Sequence, residues 1–155
     1  MIGRRISITI LTAFACLANS GTQQPPRWVL MPSSAAAGIP GYFLGTSKIR
    51  ETWQVTGVDI EKLESHLTQI SQLRSEGGMQ GAQIARPENF YRQYFGIVVK
   101  KRQLIFINAF CSDFSPSPAW RTQYYVIFDG GACVWRTIYD PATGLFEHLS
   151  TNGVG

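Results

Sequence analysis

Two hydrophobic periods divide the chain. Between residues 60 and 73 apolar side chains recur every three or four positions, whereas from residue 90 onward they recur at every second position. The first spacing is that of an amphipathic helix, and the second is that of strands whose side chains alternate between two faces. The sequence therefore predicts an α+β fold in which one amphipathic helix packs on a curled antiparallel sheet of about five strands.

The helix has its own start and stop signals. Thr56 and Asp59, three residues apart, match a capping box with aspartate in the second position. Gly77 and Gly78 are predicted to end the helix. The apolar stripe between these signals consists of Ile60, Leu63, Leu67 and Ile70. A single stripe is buried on one side only, so this helix is expected to cover another element.

The second half of the chain is rich in Tyr, Phe, Val, Ile and Thr, which favour strands. A short first strand is predicted within residues 49–55. The later strands are predicted at residues 91–99, 104–111, 122–128, 132–139 and 145–149. Turns are predicted at residues 100–103, 129–131 and 140–144. The last two turns contain Asp and Gly, which tolerate the backbone angles that tight turns require.

The first twenty residues have the order of a cleavable export signal. Arg4 and Arg5 precede the apolar residues 6–18, a run too short to span a bilayer comfortably. Small side chains at Ala18 and Ser20 suit a signal peptidase that cuts after residue 20. We therefore expect a bacterial protein that is exported to the periplasm or secreted.

A second cleavage position offers an alternative, in which the protein is a lipoprotein anchored at Cys16. Ala13 and Ala15 would suit a cut before this cysteine. Phe14, however, places a bulky ring where the lipoprotein pattern has a small residue. We favour the free protein for this reason.

Three segments follow from these signals. Residues 1–20 form the signal peptide, residues 21–41 form an N-terminal arm rich in Pro, Ser and Ala, and residues 42–155 form a single α+β domain. The apolar residues 28–30 interrupt the arm, which predicts that it docks on the domain. Removal of the signal leaves 135 residues, enough for one core and too few for two.

Charge excludes one class of partner. Removal of the signal leaves twelve Lys and Arg side chains against ten Asp and Glu. The only local basic run, residues 100–102, coincides with a predicted hairpin tip. Nucleic-acid binders concentrate basic residues on one face, so no nucleic-acid partner is expected. No stable membrane span is expected after signal removal.

Cys111 and Cys133 are the cysteines that remain after cleavage before residue 21, and an exported protein would join them in a disulfide. Such a bridge would stabilise the domain by roughly 3 kcal/mol. The alternatives are two buried thiols or one reactive thiol. A plain meander of the predicted strands would put the two cysteines at opposite ends of the sheet, so the meander and the bridge exclude each other. We favour the bridge, because the connection after Cys111 is long.

Few residues could carry chemistry. His66 is expected at the rim of the helix, and His148 stands beside Glu147 on the last strand. Neighbours on a strand point to opposite faces, so this pair cannot form a dyad. The acidic candidates all fall in turns or loops: Asp113, Asp129 and Asp140. No nucleophile, phosphate-loop or metal motif is present, so we expect no catalytic residue, cofactor or metal.

The many aromatic residues of the chain favour a large aromatic core with singly exposed rings, and a few of them are our first choice for a contact surface. Phe114, Trp120 and Arg121 surround a long connection with two prolines, and these residue types concentrate binding energy at interfaces. We therefore predict a non-enzymatic module, such as an inhibitor or immunity-type protein, with an envelope or secreted protein as partner. Two alternatives stay open. One is a small enzyme or ligand carrier with a pocket between helix and sheet, using His66 or His148 with an Asp from a turn, and the other is a structural envelope component.

The second half of the chain resembles a group of small uncharacterised exported bacterial proteins. The resemblance rests on Asp-Gly-Gly-x-Cys at residues 129–133, Tyr-Asp-Pro-x-Thr-Gly-x-Phe at residues 139–146 and Asn-Gly at residues 152–153. It implies an envelope or secreted setting and no known activity. One helix followed by a curled sheet is also similar to cystatin-like rolls, a likeness of fold alone.

Intact mass spectrometry of the purified protein tests the signal and the bridge together. We expect a mass that begins at Gly21 and that rises by the two hydrogens of a reduced disulfide after reductant. A mass that begins at a lipidated Cys16 would contradict the free protein. Two cysteines that react with an alkylating agent without reductant would contradict the bridge.

Overall fold

A computed structural model describes residues 26–44, 49–114 and 117–154, so the predicted signal peptide lies outside the described residues. The strands are β1 (Trp28–Leu30), β2 (Glu51–Thr52), β3 (Tyr91–Val99), β4 (Arg102–Phe110), β5 (Val134–Asp140) and β6 (Leu145–Thr151). The α-helix is α1 (Gly57–His66), and 3-10 turns cover Ser33–Gly38, Gly41–Leu44, Leu67–Gln72, Pro87–Asn89, Ser112–Phe114, Pro118–Arg121 and Gly131–Cys133.

All six strands belong to one open sheet, in which β3, β4, β5 and β6 follow one another as antiparallel neighbours. The other edge of β3 is shared. β1 pairs with it in parallel, with Trp28 opposite Arg92, and β2 pairs with it antiparallel, with Glu51 opposite Val98. The α+β prediction is confirmed, with a mixed sheet of six strands in place of about five antiparallel ones.

The predicted capping box opens α1. The backbone N–H of Thr56 donates to Asp59 Oδ2 at 2.8 Å, and the N–H of Asp59 donates to Thr56 Oγ1 at 3.4 Å. The α-helix ends at His66, earlier than the glycine pair, and Leu67–Gln72 continue it as a 3-10 turn. Residues three apart eclipse one another in a 3-10 turn, so the apolar stripe stays buried through Ile70.

Each face of the sheet has its own cover. On the helix face, α1 and the turn after it pack on residues such as Tyr94 and Trp135. On the opposite face, which we call the arm face, Met31, Ala36 and Ile39 of the N-terminal arm pack on strand residues around Phe95. The predicted docking of the arm is therefore seen, and the central strands are buried on both sides.

The order of the strands differs from the predicted one because residues 122–128 do not form a strand. β4 pairs directly with β5, with Phe110 opposite Val134, and residues 122–128 belong to no strand. Cys111 directly follows β4 and Cys133 directly precedes β5, so both lie at the same end of an adjacent antiparallel pair. They form a disulfide with 5.1 Å between the Cα atoms. The bridge is confirmed, and the plain meander through strand 122–128 is wrong.

The turns are built as tight hairpins at two of the three predicted places. Lys100 and Lys101 alone join β3 to β4, with φ of +48° and +66°. Gly144 closes the β5–β6 turn by donating its N–H to the carbonyl of Asp140 at 2.8 Å. Residues 129–131 do not close a hairpin, because no strand precedes them. None of the helices in the described ranges is long and apolar enough to span a membrane.

The lysine turn offers a stability test. Positive φ at both positions is the geometry of a type I′ turn, which Asn-Gly adopts more readily than two lysines. Replacing Lys100 by Asn together with Lys101 by Gly should stabilise the protein by about 1 kcal/mol, which raises the melting temperature by roughly 4 °C. Thermal unfolding followed by circular dichroism measures the shift.

A glutamine pair at the same two positions is the matched control, because it removes both charges and keeps the strain. This control should melt within about 2 °C of the native protein. Equal stability of the Asn-Gly and Gln-Gln variants would show that the turn is not strained.

Candidate functional site

A row of buried polar side chains crosses the arm face of the sheet. Gln93 on β3 lies opposite Asn108 on β4, which lies opposite Arg136 on β5, and Asn152 follows β6. The four side chains are between 0% and 9% exposed. We call these four side chains the amide row, after its three amide members. Buried polar groups are costly unless they form hydrogen bonds, so these side chains are expected to have hydrogen-bond partners.

Gln93 and Asn108 bind the backbone of the connection between β4 and β5. Gln93 Nε2 donates to the carbonyls of Trp120 and Gln123, and Gln93 Oε1 accepts the N–H of Tyr125 at 2.9 Å. Asn108 Nδ2 donates to the carbonyl of Tyr125 at 2.9 Å and to Gln93 Oε1 at 2.9 Å. The two side chains together replace the partner strand that this backbone lacks.

Asn152 continues the same arrangement toward the next strand. Its Nδ2 donates to the carbonyl of Ile127 at 2.6 Å and to that of Asp129 at 2.9 Å. Its Oδ1 accepts a hydrogen bond from Arg136 Nη1 at 2.6 Å, and Arg136 Nε donates to Tyr124 Oη at 3.2 Å. Each side chain of the amide row therefore belongs to the sheet or its end and forms a hydrogen bond with a residue of the β4–β5 connection.

The bound backbone groups belong to alternate residues, at positions 123, 125, 127 and 129. A spacing of two is that of an extended chain. Residues 122–128 thus keep the alternation from which a strand was predicted, but amide side chains take the hydrogen bonds that a neighbouring strand would supply. This is the physical reason for the wrong strand prediction.

We call residues 121–129 the contact segment, and exposure alternates in its central part, from Tyr125 to Phe128. Tyr125 and Ile127 pack toward the core, in the cluster around Phe110. Val126 and Phe128 face solvent and are 50% and 87% exposed. The contact segment therefore presents two apolar side chains on a backbone that the amide row holds in place.

The residues predicted as a contact surface lie together at the start of this segment. Trp120 is 4% exposed and packs on Phe110, with 5.8 Å between the ring centroids, so its ring is part of the core. Arg121 is exposed, and its guanidinium carbon lies 4.5 Å from the centre of the Trp120 ring. Phe114 is half-buried against Gly130. Of the three, Arg121 is the exposed one.

Sequence reasoning did not single out Val126 and Phe128. Their alternation with Tyr125 and Ile127 was visible in the sequence. The sequence analysis interprets it as the alternation of a strand within the sheet, which does not distinguish these two residues from other strand residues. The signal that could have found them is the row of buried amides, whose hydrogen bonds only an unpaired backbone can satisfy.

The disulfide closes the connection that carries the contact segment. The backbone N–H of Cys111 donates to the carbonyl of Cys133 at 2.9 Å, which extends the β4–β5 ladder by one bond. The carboxylate of Asp113 and the two sulfur atoms lie within 4.8 Å of one another. Sulfur in a disulfide is not a thiolate, so this group does not offer thiolate ligands to a metal.

His66 lies between α1 and the β5–β6 turn. Its Nδ1 is 3.0 Å from Tyr139 Oη, and its ring packs over Gly144. Burial raises the pKa of Tyr139, and the charges of Asp140 and Asp59 raise it further. His66 has no hydrogen bond to an aspartate among the described residues, so the predicted histidine–aspartate combination is not formed here.

His148 lies in an irregular part of β6, where the register with β5 shifts, and has φ of +57°. Its Nδ1 is 3.2 Å from Glu76 Oε2, and both side chains are more than half exposed. It therefore pairs with a glutamate from the loop that follows the 3-10 turn Leu67–Gln72, and with no aspartate of the described residues.

Asp140 is held by charge pairing beside a cleft of about 790 Å³. Arg102 Nη2 lies 2.7 Å from Asp140 Oδ2 and 2.8 Å from Glu147 Oε1. Burial alone raises the pKa of Asp140, but hydrogen bonds from Arg102 and from the backbone of Ala142, with the positive charge of Arg102, hold this pKa below its ordinary value. Asp140 is thus a structural carboxylate bound to Arg102.

The layer between α1 and the sheet is filled by side chains. Ile60, Leu63, Tyr94 and Trp135 are at most 1% exposed there. Arg92 crosses this layer and pairs with Glu64 at 3.1 Å. One surface cleft reaches the start of α1 at Asp59, and two further surface clefts are lined by residues outside α1.

Comparisons with protein-family models, with curated proteins and with solved structures gave no match to this chain. A function must therefore be inferred from the chemistry of the described residues. The resemblance of the second half to small exported bacterial proteins stays a prediction.

Removal of one amide tests whether the row holds the contact segment. Gln93→Leu would leave the carbonyls of Trp120 and Gln123 and the N–H of Tyr125 without their partner. Unpaired buried groups cost free energy, so the variant should be less stable by about 3 kcal/mol. Urea unfolding measures the loss, and the Tyr125 amide should exchange its hydrogen faster.

Gln80→Leu is the matched control, because Gln80 is exposed and lies in a turn. This variant should unfold within about 0.5 kcal/mol of the native protein. If Gln93→Leu were equally mild, the contact segment would not depend on the amide row.

Proposed function

We propose that this chain is an exported protein-binding module, periplasmic or secreted, that catalyses no reaction itself. It acts by covering a surface of another envelope or secreted protein, as an inhibitor or immunity-type protein does. The contact segment is its binding surface, with Phe128 and Val126 as apolar contacts and Arg121 as the charged one.

The exposure of Phe128 carries the proposal. Its side chain is 87% exposed, although the backbone on either side of it is tied to Asn152. An aromatic ring at an interface is a common centre of binding energy. A fixed backbone lowers the entropy lost on binding, so a ring presented in this way binds more tightly than one on a mobile loop.

The compartment rests on two observations. The order of residues in the first twenty positions is that of an export signal. The disulfide between Cys111 and Cys133 is a bond that persists in oxidising compartments. Both support a protein that acts outside the cytoplasm, where its partner would be found.

The alternative of an enzyme or ligand carrier has less support. That function was expected to use a pocket between helix and sheet, and side chains fill this layer. It was also expected to join a histidine to an aspartate, whereas His66 contacts Tyr139 and His148 contacts Glu76. The binding module is therefore the function that the geometry supports better.

A pull-down with a Phe128→Ser variant tests the proposed surface. The full chain with a C-terminal tag is purified after export and is presented to envelope and secreted fractions of the producing bacterium. The native protein should retain a stoichiometric partner, and the variant should bind that partner at least tenfold more weakly, by about 2 kcal/mol.

Leu145→Ser is the matched control, because Leu145 is 56% exposed at the opposite end of β5 and β6. It should keep the partner. Equal loss in both variants would indicate nonspecific apolar binding, and a partner retained by Phe128→Ser would exclude the contact segment as the surface.

A further inference from the structure

An unpaired carboxylate lies beside the disulfide. A carboxylate oxygen of Asp113 and the sulfur atoms of Cys111 and Cys133 lie within 4.8 Å of one another. Within the described ranges, the carboxylate of Asp113 takes part in no hydrogen bond and in no ion pair. The fold therefore makes no use of this exposed anion, which is available to a ligand that sulfur would also bind.

Backbone hydrogen bonds hold these three residues together without the sulfur–sulfur bond. The N–H of Cys111 donates to the carbonyl of Cys133 at 2.9 Å, and the N–H of Cys133 donates to the carbonyl of Gly130 at 2.9 Å. The N–H of Phe114 donates to the carbonyl of Cys111 at 3.5 Å, in the 3-10 turn that contains Asp113. If the disulfide is reduced, these hydrogen bonds keep both cysteines and Asp113 at the same end of β4 and β5.

The three side chains are a donor set for zinc once both sulfur atoms are thiolates. Zn²⁺ binds cysteine sulfur and aspartate oxygen, and it takes four ligands in a tetrahedral arrangement. Two thiolates and one carboxylate supply three of them, and water is the usual fourth ligand in zinc sites with three protein ligands. Mg²⁺ and Ca²⁺ prefer oxygen ligands, so the two sulfurs select against them. Both cysteines are partly exposed, which lets an ion enter from solvent.

We propose that Cys111, Cys133 and Asp113 form a zinc site when the disulfide is reduced. The two sulfur atoms then join the ends of the β4–β5 connection in either of two ways, by a bond to each other or by bonds to one Zn²⁺ ion. This site goes beyond the proposed function, because it needs no protein partner and does not use the exposed side chains of the contact segment.

Reduction by a dithiol precedes zinc binding. The dithiol transfers two electrons and two protons, the sulfur–sulfur bond breaks, both cysteines become thiols and the dithiol itself becomes a disulfide. Zn²⁺ then displaces one proton from each thiol as the two zinc–sulfur bonds form. Sulfur bound to zinc is not free to form a disulfide, so zinc should slow the return to the oxidised form.

Zinc titration of the purified, processed protein tests the site. The disulfide is reduced with a phosphine, which contains no thiol, and Zn²⁺ is titrated in competition with a chromophoric chelator. The reduced protein should bind one Zn²⁺ ion per chain, and the oxidised protein should bind none. Co²⁺ in place of Zn²⁺ should give the thiolate-to-metal absorption and the visible bands of a tetrahedral site.

An Asp113→Ala variant tests the third ligand. Loss of a group that only supports a ligand weakens metal binding ten- to a hundredfold, so loss of a ligand itself should weaken zinc binding at least about tenfold. Asp129→Ala is the matched control, because Asp129 is an exposed aspartate of the same connection and lies outside the group of three. It should bind zinc as tightly as the native protein does.

Thermal unfolding of the reduced protein gives a second measurement. A ligand that binds the folded state stabilises it, so excess zinc should raise the melting temperature of the reduced native protein by about 5 °C. If the reduced protein is unfolded without metal, zinc should restore its circular dichroism. The proposal would be overturned by a reduced protein that binds no zinc or stays unfolded with it, by equal binding in the oxidised protein, or by an Asp113→Ala variant that binds as tightly as the native one.

Discussion

Hydrogen bonds between three buried amide side chains and one unpaired stretch of backbone organise the arm face of this protein. Residues 123–129 cross the sheet without belonging to it, and a backbone buried in that way must find partners for its polar groups. Gln93, Asn108 and Asn152 supply them, one from each of three positions across the sheet. The path of the β4–β5 connection follows from where these amides stand.

The same constraint fixes the order of the strands. Because the connection lies over the sheet and not within it, β4 and β5 become direct neighbours, and their ends bring Cys111 and Cys133 within bridging distance. The arm then covers the rest of that face, beside the connection, while α1 covers the other. A sheet covered on both faces exposes few of its apolar side chains, and Phe128 is exposed because it lies in the connection and not in the sheet.

Much of this fold could be predicted from local chemistry. The capping box at Thr56, the strand at residues 91–99 and the glycine-ended turn at Gly144 each depend on neighbours in sequence, and each is found. Strand 122–128 could not be judged in that way. Its alternation is identical whether a strand or a row of side chains binds it, and the difference lies in Gln93 and Asn152, which are distant in sequence.

Trp120 shows the same limit on the side of the site. Aromatic and arginine residues near a long connection indicate an interface, but whether a given ring faces outward depends on packing. Trp120 fills the space over Phe110, whereas Phe128, eight positions later, is exposed. The sequence could indicate a region rich in aromatic residues, but the exposure of each ring depends on tertiary contacts.

Asn152 has a consequence for the way in which the fold is completed. A chain leaves a ribosome or a translocation pore with its N-terminal end first, so Asn152 emerges after every strand and after the carbonyls of Ile127 and Asp129 that it binds. Until then those carbonyls are hydrated and Phe128 has no fixed direction. The contact segment is therefore fixed in place last. A chain truncated before Asn152 would contain both cysteines of the disulfide but would lack the hydrogen bonds that hold Ile127 and Asp129.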